Sequence, residues 1–141
     1  MAITRMGPGT ITVGTVPLDF SAEVRSVTIA HEYDESSEAV TYLDGSGSPA
    51  SLTRADSVSF EADNDLSAQG IYAFCETNDL TEHAFEYVPS TADAASWAGT
   101  VQVTLPEEIG SDAFGNPIAS ATTWAAVGKF TFTPIAPPPG A

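Results

Sequence analysis

Apolar and polar residues alternate along most of the chain with the period of two that is typical of β-strands. In "SVSFEADND" (Ser57–Asp65), Val58, Phe60 and Ala62 are apolar, and the residues between them are polar or acidic. Such a strand buries one face and leaves the other in water. The same pattern predicts further strands at Thr10–Val13, Val24–Glu35, Glu38–Leu43, His83–Pro89 and Trp97–Leu105, and a closing pair around Gly128.

One stretch, "DLSAQGIYAFCETND", departs from this alternation. Three of its apolar residues follow the i, i+3, i+4 spacing of one helix face, namely Ile71, Phe74 and Cys75. We therefore predict one short α-helix at about 66–77, with Asp65 or Ser67 capping its start and Asn78 its end. Cys75 lies on the apolar face, so it is predicted to be packed and unreactive.

These segments add up to about eight to ten short strands and one helix, which predicts a mainly β fold, an antiparallel β-sandwich or small barrel. The length of 141 residues suits a single domain, 1–141. The ends, 1–9 and 134–141, are predicted to be extended arms. The last of them contains "APPPGA", which cannot continue a sheet.

The charge is strongly one-sided, with 19 acidic residues against four basic ones and a formal net charge of −15. Binding nucleic acid through its phosphates requires Lys and Arg, and an anionic membrane surface requires the same, so both are excluded as primary functions. No apolar run approaches the length of a membrane span. Cys75 is the only cysteine, which rules out a disulfide-stapled scaffold.

Residues that would carry catalysis or bind a metal are few. His31 and His83 are the only histidines, and no nucleophile motif accompanies either of them. The acidic loops "ADNDL" and "LDGSGS" supply oxygen ligands that suit calcium, but neither fits the twelve-residue EF-hand pattern. We therefore predict neither an enzyme nor a resident cofactor or metal.

The order of several segments resembles the major tail tube proteins of long-tailed bacteriophages, most of all those of phages that infect actinobacteria. The similarity extends over roughly residues 7–134. The segments that carry it are "GPGTITVG", "LDFSAEVRSVTI", "LSAQGIYAFCETN", "FEYVPSTADAASWAGTVQVTLPEEIG" and "TTWAAVGKFTFTP".

This resemblance implies a structural virion protein rather than an enzyme. Its members form hexameric rings that stack into a hollow tube, and each subunit adds strands to a continuous inner β-barrel. The implied partners are further copies of the chain, the tape measure protein, and the tail terminator and distal tail proteins. Viral DNA would pass through without specific binding, and no membrane binding is implied. The implied location is the phage tail, assembled in the host cytoplasm.

An acidic chain fits such a conduit, because an acidic wall repels phosphates and lets DNA slide. The candidates for the acidic lining of the lumen are Glu32, Asp34, Glu61 and Asp63, on the polar faces of two long strands. Acids at ring edges would repel one another unless they were matched by cations. The candidates for inter-subunit ion pairs are therefore Arg5, Arg25 and Arg54.

Other functions fit an acidic β-protein as well. One is a phage capsid decoration or adhesin-like module. Another is a calcium-dependent carbohydrate-binding β-sandwich, which requires an exposed aromatic residue near an acidic loop. Trp97 borders a loop and could serve that purpose, whereas Trp124 lies in an apolar strand and is predicted to be part of the core.

Overall fold

The computed structural model of the protein describes residues 7–14, 18–92, 94–111 and 113–135. Within these ranges the chain forms one helix, α1 (Ile71–Thr77), and eleven strands. The strands are β1 (Thr10–Val13), β2 (Leu18–Asp19), β3 (Val24–Ser37), β4 (Val40–Thr41), β5 (Gly47–Ser48), β6 (Ser51–Asp63), β7 (Glu82–Val88), β8 (Ser96–Gln102), β9 (Ile109–Gly110), β10 (Ala119–Ala125) and β11 (Thr131–Thr133). The predicted mainly β class is confirmed.

The strands form two antiparallel sheets and a small ribbon. The five-stranded sheet has the order β11-β8-β7-β1-β2, and the four-stranded sheet has the order β3-β6-β10-β9. Within the described residues, strands β4 and β5 pair only with each other. All described pairings are antiparallel, so the predicted sandwich class is confirmed.

The core lies between the two sheets and follows the alternation of the sequence. Val58, Phe60 and Ala62 of β6 are buried, whereas Glu61 between them is exposed. Trp124 on β10 is fully buried, as predicted, and meets Phe60 edge-on with ring centroids 4.8 Å apart. These apolar side chains hold the sheets together through the area that they remove from water.

The helix begins later than predicted, at Ile71 instead of about residue 66. Gly70 is its N-cap, and neither Asp65 nor Ser67 caps it. A Cβ at Gly70 would lie 1.7 Å from the carbonyl oxygen of Asp65, so only glycine fits where the chain folds back on itself. The predicted C-cap is confirmed, because the Asn78 N–H donates to the Phe74 carbonyl.

A distant acid takes the place of the missing side-chain cap. The Glu23 carboxylate accepts the N–H of Ile71 at 3.1 Å and the N–H of Asp65 at 2.8 Å. Glu23 comes 48 residues before Ile71, so the sequence pattern around the helix gives no sign of it. The helix start is therefore fixed by tertiary structure.

The two strands predicted on either side of Gly128 are present, but they do not pair with each other. Strand β10 pairs with β6 in one sheet, whereas β11 pairs with β8 in the other. Gly128 has φ +83°, a left-handed conformation that favours glycine, and it lies in the turn that carries the chain between the sheets. The Ala126 N–H donates to the Asp56 carbonyl and the Phe130 N–H to the Asp56 carboxylate, which holds the two ends of this turn.

Several element ends also differ from the sequence pattern. The strand predicted at Trp97–Leu105 ends at Gln102. Residues 44–51 lie outside the predicted strands but contain β5 and the first residue of β6. No strand is predicted directly after Leu105, yet this stretch contains β9 and the start of β10, which pair with each other through Ser120 and Ile109. Pairing with distant residues sets these boundaries.

Strands β3 and β6 form the longest hairpin of the molecule. Their register runs from Val24 opposite Ala62 to Ser37 opposite Ser51, with bulges near both ends. Toward its tip the hairpin leaves the core, and Tyr33 and Leu52 are exposed. Among the described residues, β3 pairs on one side only, so its other edge is open.

The helix in the described ranges, α1, is not long and apolar enough to span a bilayer.

Candidate functional site

The face of the four-stranded sheet that points away from the core is the candidate functional surface, here called the outer face. It is built from alternate residues of three long strands, whose cross-strand register places them side by side. Its members are Ser26, Thr28, Ala30, Glu32 and Asp34 on β3; Thr53, Ala55, Ser57, Ser59, Glu61 and Asp63 on β6; and Ala119, Ala121, Thr123 and Ala125 on β10.

Apart from its acids, the outer face carries only Ser, Thr and Ala at these positions. Hydroxyls satisfy one another across strands, as Ser59 Oγ and Thr123 Oγ1 do at 2.9 Å. Small side chains of this kind make a smooth, wettable surface without the apolar anchors and guanidinium groups that dominate tight binding sites. The outer face is therefore suited to contact without retention.

All four acids predicted for a lumen lie on this face, in two pairs. Glu61 and Asp63 occupy the end near the start of β3, since Glu61 is opposite Ser26. Glu32 and Asp34 lie farther along β3, since Glu32 is opposite Ala55. The two pairs are separated by about 20 Å along the strand, at about 3.3 Å per residue. That this face lines a lumen remains a prediction.

Arg25 is the one arginine found beside the outer face in the described part of the chain. It occupies the bulge between Val24 and Ser26, and its Nε lies 3.2 Å from Asp63 Oδ1. Both side chains are largely exposed, at 56% and 40%, so this ion pair contributes at most about 1 kcal/mol. The Arg25 guanidinium neutralises the charge of one carboxylate, and its exposed part is accessible to a second partner.

A groove crosses the outer face at the Glu61 end. The segment after β8 is anchored to β10, because the Thr104 Oγ1 donates to the Thr123 carbonyl and the Trp124 indole N–H donates to the Thr104 carbonyl. It borders a groove of ≈ 620 Å³ whose charged lining is Arg25, Glu61, Glu107 and Glu108. The alternation predicts no element at Glu107 and Glu108, so their place in this groove was not predicted.

A second charged cluster lies inside the molecule, where the long hairpin leaves the core. The Asp56 side chain is fully buried. Its carboxylate lies 2.7 Å from His31 Nδ1 and accepts hydrogen bonds from Arg54 Nη2 at 2.9 Å and from the Phe130 N–H at 2.8 Å. It therefore connects β3, β6 and the turn that leads into β11.

The hydrogen bonds outweigh the cost of burying the Asp56 carboxylate. Burial by itself raises its pKa, but the bonds from His31, Phe130 and Arg54 stabilise the charged form and bring the pKa below the ordinary value. The same partner raises the pKa of Arg54 through their hydrogen bond. Asp56 is thus charged over the whole neutral pH range, and the cluster has a structural role in holding β3, β6 and the turn before β11 together.

Asp56 was not predicted as part of a site, although the sequence pattern contains a signal for it. Arg54 and Asp56 precede Val58 and Phe60 at the same spacing of two residues. The alternation therefore places both on the buried face of β6. Two opposite charges at successive inward positions indicate a buried ion pair. Arg54, predicted as an inter-subunit cation, is bound within the chain, and Arg5 lies outside the described residues.

The remaining candidates for chemistry are engaged in packing. His83 Nε2 is 2.8 Å from Thr81 Oγ1, and its ring contacts Phe74 edge-on. Cys75 is buried, and burial raises its pKa to about 12, so the prediction of a packed thiol is confirmed. The structure as described contains no group of three or more His, Cys, Asp or Glu side chains placed to hold a metal ion.

Comparison with known proteins gives structural matches only. No protein-family model matches the chain, and no curated protein matches its sequence. A chain from the tail of an empty gene transfer agent particle, refined with helical and C6 symmetry, matches with a TM-score of 0.62. The match covers 93% of this chain and 99% of that one, at 14% identity.

The chain has the fold of a gene transfer agent tail protein. A chain of the virion of a native gene transfer agent particle also matches, with a TM-score of 0.58 and 14% identity. This match covers 93% of this chain and 99% of that one. Nearly the whole of each matched chain is thus covered by this one. At this level of identity the likeness establishes the shared fold and leaves the residues of this chain to be interpreted on their own chemistry.

Proposed function

We propose that the protein is the subunit of a phage-type tail tube, in which rings of six copies stack around a bore lined by the outer face. The observation that carries this proposal is the outer face itself. It is smooth and acidic, and it belongs to a sheet with open edges in a chain that has a tail-protein fold. Viral DNA would pass along this face without being bound.

Ring closure would satisfy the open edges of the four-stranded sheet. Strand β3 is 14 residues long, and among the described residues only β6 pairs with it. At the opposite side, β9 covers β10 at Ala119 and Ser120 only. Long open edges are an aggregation hazard in a monomer. Pairing the β3 edge of one subunit with the β10–β9 side of the next would turn that hazard into an assembly contact.

The dimensions of such a barrel suit duplex DNA. Four strands from each of six subunits make 24 strands. At a spacing of about 4.8 Å and a tilt of about 40°, these enclose a barrel roughly 50 Å across at the backbone. The small side chains of the outer face leave a bore of roughly 40 Å, which admits a B-form duplex roughly 20 Å wide.

The charge of the assembly would keep DNA off the wall. Six chains of −15 carry about −90 per ring. At physiological salt the repulsion extends about 8 Å from the surface, so it acts close to the wall and centres the duplex. A cationic wall would instead bind phosphates through counterion release and stall transit.

The tip of the β3–β6 hairpin would contact the next ring. This region, together with the β4–β5 ribbon, exposes several large apolar side chains, namely Tyr33, Val40, Tyr42, Leu43 and Leu52. Their burial between rings would contribute to stacking. Among the described arginines, Arg25 is the better candidate for an inter-subunit ion pair, because Arg54 is bound to Asp56.

Further partners follow from the same role. A growing tube would enclose a tape measure protein and would end against tail terminator and distal tail proteins. The protein would then be a virion component, assembled in the host cytoplasm. Phages of actinobacteria are the proposed source.

Electron microscopy of the purified, concentrated protein tests the proposal. We expect hollow tubes of stacked six-fold rings with an acidic bore. Monomers or trimers at every concentration would overturn it and favour a capsid decoration or adhesin-like module. A calcium-dependent rise in Tm without tubes would favour a carbohydrate-binding sandwich, although Trp97 is already stacked on Tyr87, with centroids 6.0 Å apart, and packed against Phe132.

The arginine contacts have a separate test in protein that forms tubes. Reversing the charge of Arg5 and of Arg25 one at a time should abolish polymerisation in at least one case, whereas Arg54 is left unchanged because its reversal would disrupt the buried pair with Asp56. Normal tubes from both variants would remove the proposed ion pairs between subunits. That result would leave the proposed tail tube unaffected.

A further inference from the structure

An apolar cleft opens at one end of the sandwich, between β1, β7 and the start of β3. Its volume is ≈ 390 Å³, within the range of about 300–1,000 Å³ that is usual for ligand pockets. The residues that matter for recognition are Pro8, Val24, Val27, Tyr87 and Pro89. The cleft thus offers proline rings, aliphatic groups and one aromatic ring.

Tyr87 brings a hydrogen-bond donor to this cleft. The residue is 92% buried, since its exposed fraction is 8%. Burial raises the pKa of its hydroxyl, which therefore stays protonated and can donate a hydrogen bond. A carbonyl oxygen of a ligand in the cleft would accept that bond. The cleft therefore suits an apolar ligand that presents a carbonyl oxygen.

The C-terminal strand leads the chain toward the cleft. Ile11, Tyr87, Trp97 and Phe132 form one row across β1, β7, β8 and β11. Strand β11 runs parallel to β7, since each is antiparallel to β8, so it points to the same end as Pro89. Trp97 lies between Tyr87 and Phe132, with centroids 6.0 and 5.0 Å away, and Phe132 is 53% exposed.

We infer that residues 134–141, with Pro137–Pro139 at their centre, bind in this cleft as a polyproline II segment of the same chain. Such segments dock in grooves lined by aromatic and proline side chains. Proline carbonyls accept hydrogen bonds while the ring supplies no N–H, which matches the Tyr87 hydroxyl.

Length supports this placement. The cleft lies two to three strands away from β11, which is about 10–14 Å at a spacing of about 4.8 Å. Pro137–Pro139 come four to six residues after Thr133, which is about 12–19 Å at about 3.1 Å per residue in a polyproline II helix. A tether of this length gives an effective concentration of order mM, so even a weak site is occupied by its own tail.

Peptide competition on the unassembled protein tests the inference, whether or not the protein forms tubes. Two chains are compared, the full-length protein and a variant that ends at Ile135. Each is titrated with a synthetic peptide of residues 134–141, and binding is followed by NMR shifts of Gly9 and Ile11. The control peptide carries glycine in place of the three prolines 137–139.

The shortened chain should bind the peptide saturably, and the full-length chain at least tenfold more weakly because its own tail fills the cleft. The glycine peptide should not bind. Tyr87→Phe in the shortened chain should weaken binding about fivefold, the effect of one lost hydrogen bond.

Three results would overturn the inference. The first is equal peptide affinity of the two chains. The second is competition that appears only at concentrations where chains associate, which would assign the tail to another copy. The third is a gain of peptide binding on deletion of residues 1–6, which adjoin Gly7 at the cleft and would then be its occupant.

Discussion

The Asp56 carboxylate accepts a hydrogen bond from the backbone N–H of Phe130 at 2.8 Å, across the boundary between the two sheets. Asp56 belongs to β6, whereas Phe130 immediately precedes β11. Their contact lies where the long hairpin leaves the core, and His31 and Arg54 complete it. The angle of the hairpin relative to the sandwich therefore depends on one buried carboxylate.

Asp56→Asn should destabilise the protein by about 2 kcal/mol, because it removes charge-assisted hydrogen bonds and leaves Arg54 without its counter-ion. Thermal unfolding should show a Tm lower by about 6 °C for a chain of this size. Asp63→Asn is the matched control, since it alters an exposed ion pair. That variant should lose less than about 1 kcal/mol. An equal loss of stability in both variants would contradict this structural role of the Asp56 cluster.

The same carboxylate should make stability depend on pH at the acid end. The folded pKa of Asp56 lies below its ordinary value of 3.8, despite the opposing effect of burial, because of its hydrogen bonds. A lowered pKa gives stability that is complete above pH 3.8 and is lost as the pH falls through the folded pKa. The Tm difference between the wild type and Asp56→Asn should thus shrink as the pH falls below 3.8. A difference that does not shrink there would refute this.

Gly70→Ala should destabilise the fold, because the added Cβ would meet the carbonyl oxygen of Asp65 at 1.7 Å and must displace backbone. A cost of about 1–3 kcal/mol is expected from chemical denaturation. Gly110→Ala makes the same chemical change where no atom lies within 4 Å, so it should be nearly neutral. If the two variants unfold at the same denaturant concentration, the tight fold-back before α1 is wrong.

Cys75 should resist alkylation in the native protein. Its pKa is raised from 9.0 to about 12 by burial first and then by Asp79 and Glu76. The thiolate is the reactive form, so its population falls about a thousandfold. Iodoacetamide at pH 8 should label the folded chain at least a hundredfold more slowly than the chain in denaturant. Comparable rates would mean that the helix opens readily or that the thiol is exposed.

Reversal of charge on the outer face should convert assembled tubes into DNA-binding tubes. Glu61→Lys combined with Asp63→Lys changes the charge by four units per subunit at one end of that face. Glu82→Lys combined with Glu86→Lys makes the same change on exposed positions of β7. If the outer face lines the bore, only the first variant should retain duplex DNA inside tubes, with affinity falling steeply as salt rises. DNA found only on the tube exterior would place the outer face elsewhere.

The sequence pattern predicted much of the sandwich because burial follows a period of two. Val58, Phe60 and Ala62 point inward and Glu61 points outward, as their order requires. The same rule placed Glu32, Asp34, Glu61 and Asp63 on one face. Side-chain direction in a strand is local information, so it could be predicted without knowing the partners.

What the pattern missed depends on residues that are distant in sequence. The start of α1 is set by Glu23 and by the contact of Gly70 with Asp65. Strands β10 and β11 are neighbours in the chain, yet their partners are β6 and β8. Alternation indicates that a strand exists and which side is buried, but it carries no information on which strand lies beside it.

The chain order of the sheets has a consequence for synthesis on the ribosome. Within the described residues the chain crosses between the sheets four times, and β6 ends at Asp63 while its partner β10 ends at Ala125. At 5–20 residues per second, the β3–β6 hairpin waits roughly 3–12 s for β10 to be translated. During that interval β10 does not yet cover the apolar side chains of Val58 and Phe60. Mispairing is therefore most dangerous between nascent chains on one polysome. Slower elongation at the 3′ half of the message would lengthen that exposure, and a chaperone that holds the hairpin would shorten it.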